Sequence, residues 1–200
     1  LENPLPDAAF GLHLWNEHPA GWMAVKDGPF MAGADMFRIQ IKGKGGHGAM
    51  PQAVIDPIMA GAHLVTAIQA IVSRNISPLD SAVISITSFH AGTSYNIIPE
   101  TVEMLGTVRT FTPEVRRMIH NRMQTLIDSV CMAFGCSGEL EFINSTPPVV
   151  NAGPVTEIVR QAASDVVPEY RIDSNYQSTV SEDMAIFLQH IPGCFFFIGS

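Results

Sequence analysis

Four side chains in this sequence combine residue type and setting in a way that could support chemistry: His13, His47, Asn96 and Arg109. His47 lies in Lys42-Gly43-Lys44-Gly45-Gly46-His47-Gly48-Ala49-Met50-Pro51, where glycines let backbone come close to a neighbour. Two readings fit that stretch, a binding loop held between rigid elements and a plain glycine-rich turn with an exposed histidine. A phosphate-binding loop fits poorly, because no Lys-Ser or Lys-Thr pair follows the glycines. Asn96 sits in Gly92-Thr93-Ser94-Tyr95-Asn96-Ile97-Ile98-Pro99, just before a strand pattern. Arg109 interrupts the apolar run Leu105-Gly106-Thr107-Val108-Arg109-Thr110-Phe111. Such an arginine either points to solvent or an acid, or offers its planar fork to a carboxylate. In the second case His47 and Asn96 could donate hydrogen bonds to an oxyanion. His13, beside Leu and Trp, is either a core histidine or a ring-nitrogen ligand for zinc or manganese. No nucleophile elbow or Ser-His-Asp spacing supports an acyl-enzyme route.

The elements that must position these residues follow from periodicity. Segment 7–15 alternates like a short strand, and 16–33 reads as loop with a short strand near Met23-Ala24-Val25. Residues 35–42 form an alternating strand, and 56–73 a helix with Asp56 as N-cap and Pro57 at its first position. After a break at 77–80 come a β-branched strand at 82–90, a loop at 91–99 and an alternating strand at 101–111. Thr112-Pro113 then starts a helix that runs to about residue 134 and stops at Gly135; a strand at 139–143 is closed by Pro147-Pro148. Strand-helix-strand-strand-helix-strand is the ferredoxin-like βαββαβ sandwich, four antiparallel strands with two helices on one face. Beyond it, the pattern predicts a helix over 154–167, a loop carrying 177–179, a helix capped by Ser181-Glu182-Asp183 and running to about 189, and a strand over 194–198. The flanks 1–33 and 148–200 read as parts of one α/β domain into which 34–147 is inserted.

Composition narrows the class. Hydrophobic residues make up 46% and charged residues 15%, which describes a folded globular chain. A formal net charge of -8 argues against a nucleic-acid partner. No apolar run approaches the roughly 20 residues of a membrane span. Three cysteines, none in a Cys-x-x-Cys pair, fit a reducing cytoplasm. The chain starts at Leu1 and stops at Ser200 directly after a buried-looking strand, so the expectation is a fragment of a longer protein.

Five motifs in order, Phe10-Gly11-Leu12-His13, the glycine-rich stretch from Lys42 to Pro51, Asn96-Ile97-Ile98-Pro99, Gly106-Thr107-Val108-Arg109-Thr110-Phe111 and Ser181-Glu182-Asp183, resemble the M20 family of metallopeptidases. Its amidohydrolase branch, with hippurate hydrolases, N-acyl-amino-acid amidohydrolases and auxin-conjugate hydrolases, is the most similar. The resemblance implies cleavage of the amide bond of N-acyl amino acids by a water that two divalent ions, zinc or manganese, activate. It also implies an inserted lid domain that forms a homodimer. His13 then matches a metal ligand, and His47 the lid histidine that reaches the partner subunit's active site and steadies the oxyanion. Asn96 matches the lid asparagine near the same oxygen, and Arg109 the arginine that binds the substrate carboxylate. Ser181-Glu182-Asp183 matches a segment near the metal site, without an assigned role. The family's Cys/His segment and paired glutamates lie upstream of Leu1, and its last histidine ligand downstream of Ser200. This chain alone is therefore expected to bind metal weakly and to be inactive. The competing expectation is a non-catalytic dimerisation or ligand-binding module. Either way, Ala60-Gly61-Ala62 on the first helix and an edge strand are candidates for pairing two copies.

Overall fold

The computed structural model describes residue 4, residues 6–167 and residues 169–200. It divides into two compact units, Leu1–Ala34 with Thr146–Ser200, and Asp35–Ser145. In chain order the elements are β1 (Ala9–Trp15), β2 (Trp22–Ala24), β3 (Gly28–Met31), β4 (Gly33–Lys42), β5 (Gly46–His47), α1 (Pro57–Asn75), β6 (Ala82–Ala91), β7 (Ile97–Ile98), β8 (Thr101–Thr110) and α2 (Pro113–Ala133). The chain continues through β9 (Ser137–Thr146), β10 (Val149–Asn151), α3 (Gly153–Val166), β11 (Arg171–Asp173), α4 (Met184–Leu188) and β12 (Gly193–Gly199).

The unit from Asp35 to Ser145 is a four-stranded antiparallel sheet in the order β6-β8-β4-β9, with α1 and α2 against one face. Alternation decides that face. Phe37, Ile39 and Ile41 on β4 and Val102, Met104 and Val108 on β8 point inward and are buried. They meet Ala60, Leu64, Ile68 and Ile71 of α1 and Val115, Ile119, Met123, Ile127 and Cys131 of α2, spaced three or four apart as one helix stripe. Each of the Val, Leu, Ile, Phe and Met side chains among them contributes about 1.5–3 kcal/mol by leaving water. The helix ends form as their sequences specify. Asp56 accepts from Ile58 N (2.8 Å) and Thr112 from Val115 N (3.3 Å), each ahead of a proline. α2 closes with Cys136 N donating to Cys131 O and Gly135 N to Met132 O, with Gly135 at φ 72°.

The other unit has a mixed sheet in the order β1-β12-β2-β11 and a separate ribbon of β3 and β10. β1 runs parallel to β12, from Ala9 opposite Gly193 to Trp15 opposite Gly199. One side of this unit packs Trp22, Phe30, Val149, Phe195 and Phe197; the other packs Met23, Val25 and Cys194 against Val155 and Val159 of α3.

Several local expectations need correction. Segment 16–33 contains β3 as well as β2, and β10 and β11 follow where only loop is expected. These strands have three or four residues and pair with distant chain, Met31 with Val149 and Trp22 with Arg171, so little in their own sequence marks them. The loop at 91–99 contains β7. The helix after Ser181 is α4 alone, and its first turn is held by Glu182, whose Oε1 accepts from Met184 N (3.3 Å), while Asp183 makes no capping bond.

Candidate functional site

β4 carries the chain along the sheet of the Asp35–Ser145 unit to the glycine-rich stretch, and β8 starts beside that stretch and returns. Gly43 N donates to Glu100 O (2.9 Å), and Lys44 exchanges backbone bonds with Ile55. The glycines are required by close approach: a Cβ on Gly43 would lie 2.3 Å from Ile55 O, and one on Gly45 2.8 Å from Ile98 O. This packing lets β5 pair with β7, placing His47 opposite Ile97, while Gly48 N donates to Asn96 O (2.8 Å). His47 and Asn96, 49 positions apart in sequence, are therefore neighbours on one exposed tip.

Both side chains are tied by their acceptor atoms. Ala49 N donates to His47 Nδ1 (3.1 Å), which puts the proton of the neutral ring on the outward Nε2. Ser94 Oγ donates to Asn96 Oδ1 (2.9 Å), which leaves the Nδ2 amide without a partner among the described residues. The tip thus carries two side chains, each held by one hydrogen bond, with His47 Nε2 and Asn96 Nδ2 as their remaining donors.

Arg109 lies at the far end of β8. It is eight residues beyond Thr101, on the order of 25 Å along the strand from the tip. Its Nη1 donates to Thr107 Oγ1 and to Val108 O (3.1 Å). Among the described residues no carboxylate pairs with it, and its Nε and Nη2 donors are unused. The half-buried guanidinium lies on the face of the sheet away from the helices, held at Nη1 and unpaired with any acid among the described residues.

His13 is exposed on β1, in the other unit, with Nδ1 2.7 Å from Leu14 O and its ring edge-on to Trp15. It is not a core histidine. Donation from Nδ1 leaves Nε2 as a potential ligand atom, but the described residues hold no group of three His, Cys, Asp or Glu around a common point. On their own they do not fit a two-metal centre. The buried Cys131 thiol is pushed up to about 11, by burial first and then by Cys136 and Asp128, which makes it an inert core group. Glu182 is raised above the usual carboxylate range by burial and then by neighbouring Asp183.

A second polar cluster has no counterpart among the sequence-derived candidates. Asp35, 2% exposed, accepts from Arg116 Nε (2.8 Å) and Nη2 (2.7 Å), from Ser145 Oγ, and stands 2.9 Å from His120 Nε2. His120 in turn stacks on Phe142 with centroids 3.7 Å apart. Burial pushes the Asp35 carboxyl upward, but hydrogen bonds from Arg116, Ser145 and His120 and the Arg116 charge outweigh it and hold it below its ordinary value. The available signal is register: Asp35 shares the inward parity of Phe37, Ile39 and Ile41.

Residues 32–133 match the family model described as the peptidase dimerisation domain. The chain is 38% identical over 194 residues to an N-acetyl-L-cysteine deacetylase of Bacillus subtilis, covering 97% of this chain and 46% of that protein. It is 45% identical over 145 residues to an N-acyl-L-amino acid amidohydrolase of Geobacillus stearothermophilus, covering 72% of this chain and 39% of that one. Among solved structures it resembles a Bacillus subtilis protein described as a dinuclear metal binding peptidase from the M20 family, with a TM-score of 0.80 and 34% identity, over 97% of this chain and 48% of that one. The chain spans about half the length of the curated relatives it matches.

Proposed function

Because the chain belongs to the M20 peptidase family and carries its dimerisation domain, we propose that the whole protein is a divalent-metal-dependent amidohydrolase that cleaves N-acyl amino acids. In this reading it works as a homodimer whose sites are composite. The separation along β8 carries it: two oriented donors at one end of the sheet and an open arginine fork at the other cannot grip one small molecule within a single copy. Two copies related by a two-fold axis can bring the tip of each against the arginine of the other.

The division of labour follows from the atoms. Arg109 holds the substrate carboxylate through Nε and Nη2 and fixes the amino-acid end. His47 Nε2–H and Asn96 Nδ2–H donate to the carbonyl oxygen of the scissile amide as it gains charge, which favours the tetrahedral state over the planar one. His13 offers one imidazole to the metal, zinc or manganese, whose chemistry is activation of the attacking water. No step through the metal follows from the residues present.

The test is a kinetic comparison on the metal-loaded whole protein. N-acyl amino acids should be hydrolysed in preference to the corresponding N-acyl amino amides, which lack the carboxylate. Arg109→Ala should erase that preference, raising KM for the acids with a loss of about 1.5–3 kcal/mol, or tenfold to a hundredfold in kcat/KM. Equal rates on acids and amides in the parent protein would remove the carboxylate grip.

A further inference from the structure

Building on that amidohydrolase reading, we infer that Thr107 is a positioning residue for the carboxylate grip: its hydroxyl, fixed by the backbone of Asp35, sets the plane in which Arg109 offers its Nε and Nη2 edge.

Thr107 and Arg109 are two positions apart on β8, so both side chains stand on the face of the sheet away from the helices. Both are half-buried. Thr107 Oγ1 donates to Asp35 O (3.0 Å) and accepts from Arg109 Nη1. These roles admit no exchange. A guanidinium carries donors only and a backbone carbonyl accepts only, so the single hydroxyl proton goes to Asp35 O and an oxygen lone pair receives Nη1. Asp35 O is a firm anchor, because the Asp35 side chain is buried and held by Arg116 Nε (2.8 Å), Arg116 Nη2 (2.7 Å) and Ser145.

Arg109 Nη1 also donates to Val108 O (3.1 Å). Two acceptors on one nitrogen fix the whole guanidinium, because the group is planar and rigid. The neighbouring strand offers no polar substitute for Thr107, since Val83 of β6 stands opposite Arg109. What remains is Nε with Nη2, the two-pronged edge that matches a carboxylate. An arginine left to rotate would have to surrender that freedom when the carboxylate arrives; one held beforehand surrenders less. Removing the Thr107 hydroxyl should therefore weaken the hold on the carboxylate while leaving the bond-breaking step alone.

The experiment measures kcat and KM of the metal-loaded whole protein on an N-acyl amino acid and on the corresponding N-acyl amino amide. Both substrates are run on one preparation of each variant, so a loss of folded protein cancels in the acid-to-amide ratio of kcat/KM. Thr107→Val keeps the branched side chain and removes the hydroxyl. It should lower that ratio about fivefold, through KM for the acid, with kcat for the acid changed less than about twofold. Thr107→Ser, which keeps the hydroxyl, should hold the ratio within about twofold of the parent's. In an Arg109→Ala background Thr107→Val should not move the ratio further, since Thr107 acts through the arginine. This inference is overturned, and the amidohydrolase reading left standing, by a Thr107→Val ratio equal to the parent's, by a Thr107→Ser ratio as low as that of Thr107→Val, or by a fall as large without Arg109 as with it. A parent that cleaves neither substrate, or both alike, overturns the carboxylate grip and this inference together.

Discussion

Two arginines at the same end of one sheet have opposite surroundings. Arg116, on α2, faces the packed side and fills its Nε and Nη2 edge with the two oxygens of buried Asp35. Arg109, on β8, faces the open side, and no described residue pairs with the same edge. The histidines divide the same way. His120 is stacked on Phe142 and bonded to Asp35, whereas His47 is anchored by Nδ1 alone and turns its other nitrogen outward. A polar group with every partner supplied by its own fold is scaffold. One held by part of its valence, with the rest turned to solvent, is free to take a further partner.

That contrast predicts opposite phenotypes, and the largest belongs to the filled site. Arg116→Ala leaves the Asp35 carboxylate buried with only His120 and Ser145, and should cost about 3–5 kcal/mol of folding stability. Urea unfolding followed by circular dichroism measures it. A change under about 1 kcal/mol would mean that solvent, which reaches Arg116 at 35% exposure, already carries the pair. His47→Ala should do the reverse. The urea midpoint should stay where it is, since the side chain is exposed, while kcat on an N-acyl amino acid falls about 10²–10³-fold. A matching loss of stability would move His47 into the scaffold class.

Little of this contrast is visible in the sequence, although most of the fold is. The alternation of 35–42 and 101–111, the Asp56-Pro57 and Thr112-Pro113 starts and the Gly135 stop are local signals, and β4, β8, α1 and α2 form accordingly. What decides whether an arginine is filled or open is not local. Asp35 meets its partners at separations of 81, 85 and 110 residues. The order of motifs points to His47, Asn96 and Arg109 as candidates, but not to the β5–β7 pairing that joins the first two, nor to the length of β8 that separates the third. β3, β10 and β11 escape for the same reason, since each exists only through a strand far away in the chain.

A smaller effect tests whether the open groups are completed by a second copy. If Arg109 of one copy works with His47 of the other, His47→Ala and Arg109→Ala proteins should rescue each other when mixed. Equal amounts, unfolded and refolded together, give half mixed dimers, and each mixed dimer has one intact site of two. The mixture should therefore recover about a quarter of the parent activity. If both residues serve one copy's site, every site in the mixture lacks one of them, and the mixture stays as inactive as its components.

The smallest effect concerns acid and returns to the filled site. The Asp35 carboxyl is held below its ordinary 3.8 in the folded protein by partners that are lost on unfolding. In that window the unfolded chain binds the extra proton, so stability rises with pH there. Sign and range follow: the contribution is complete above about pH 4 and drains away as pH falls through the folded-state value. Asp35→Asn cannot titrate, so its unfolding free energy below about pH 4 should slope less steeply than the parent's, by up to one proton. Glu182 acts in a separate, higher range, because burial and then Asp183 raise its carboxyl, so that its share of stability is present below the ordinary carboxylate value and lost as pH rises through its folded value. Parallel slopes in the parent and Asp35→Asn would mean that Arg116 and His120 hold this carboxylate no more firmly than water does, and the distinction between the two ends of the arginine comparison would then rest on burial alone.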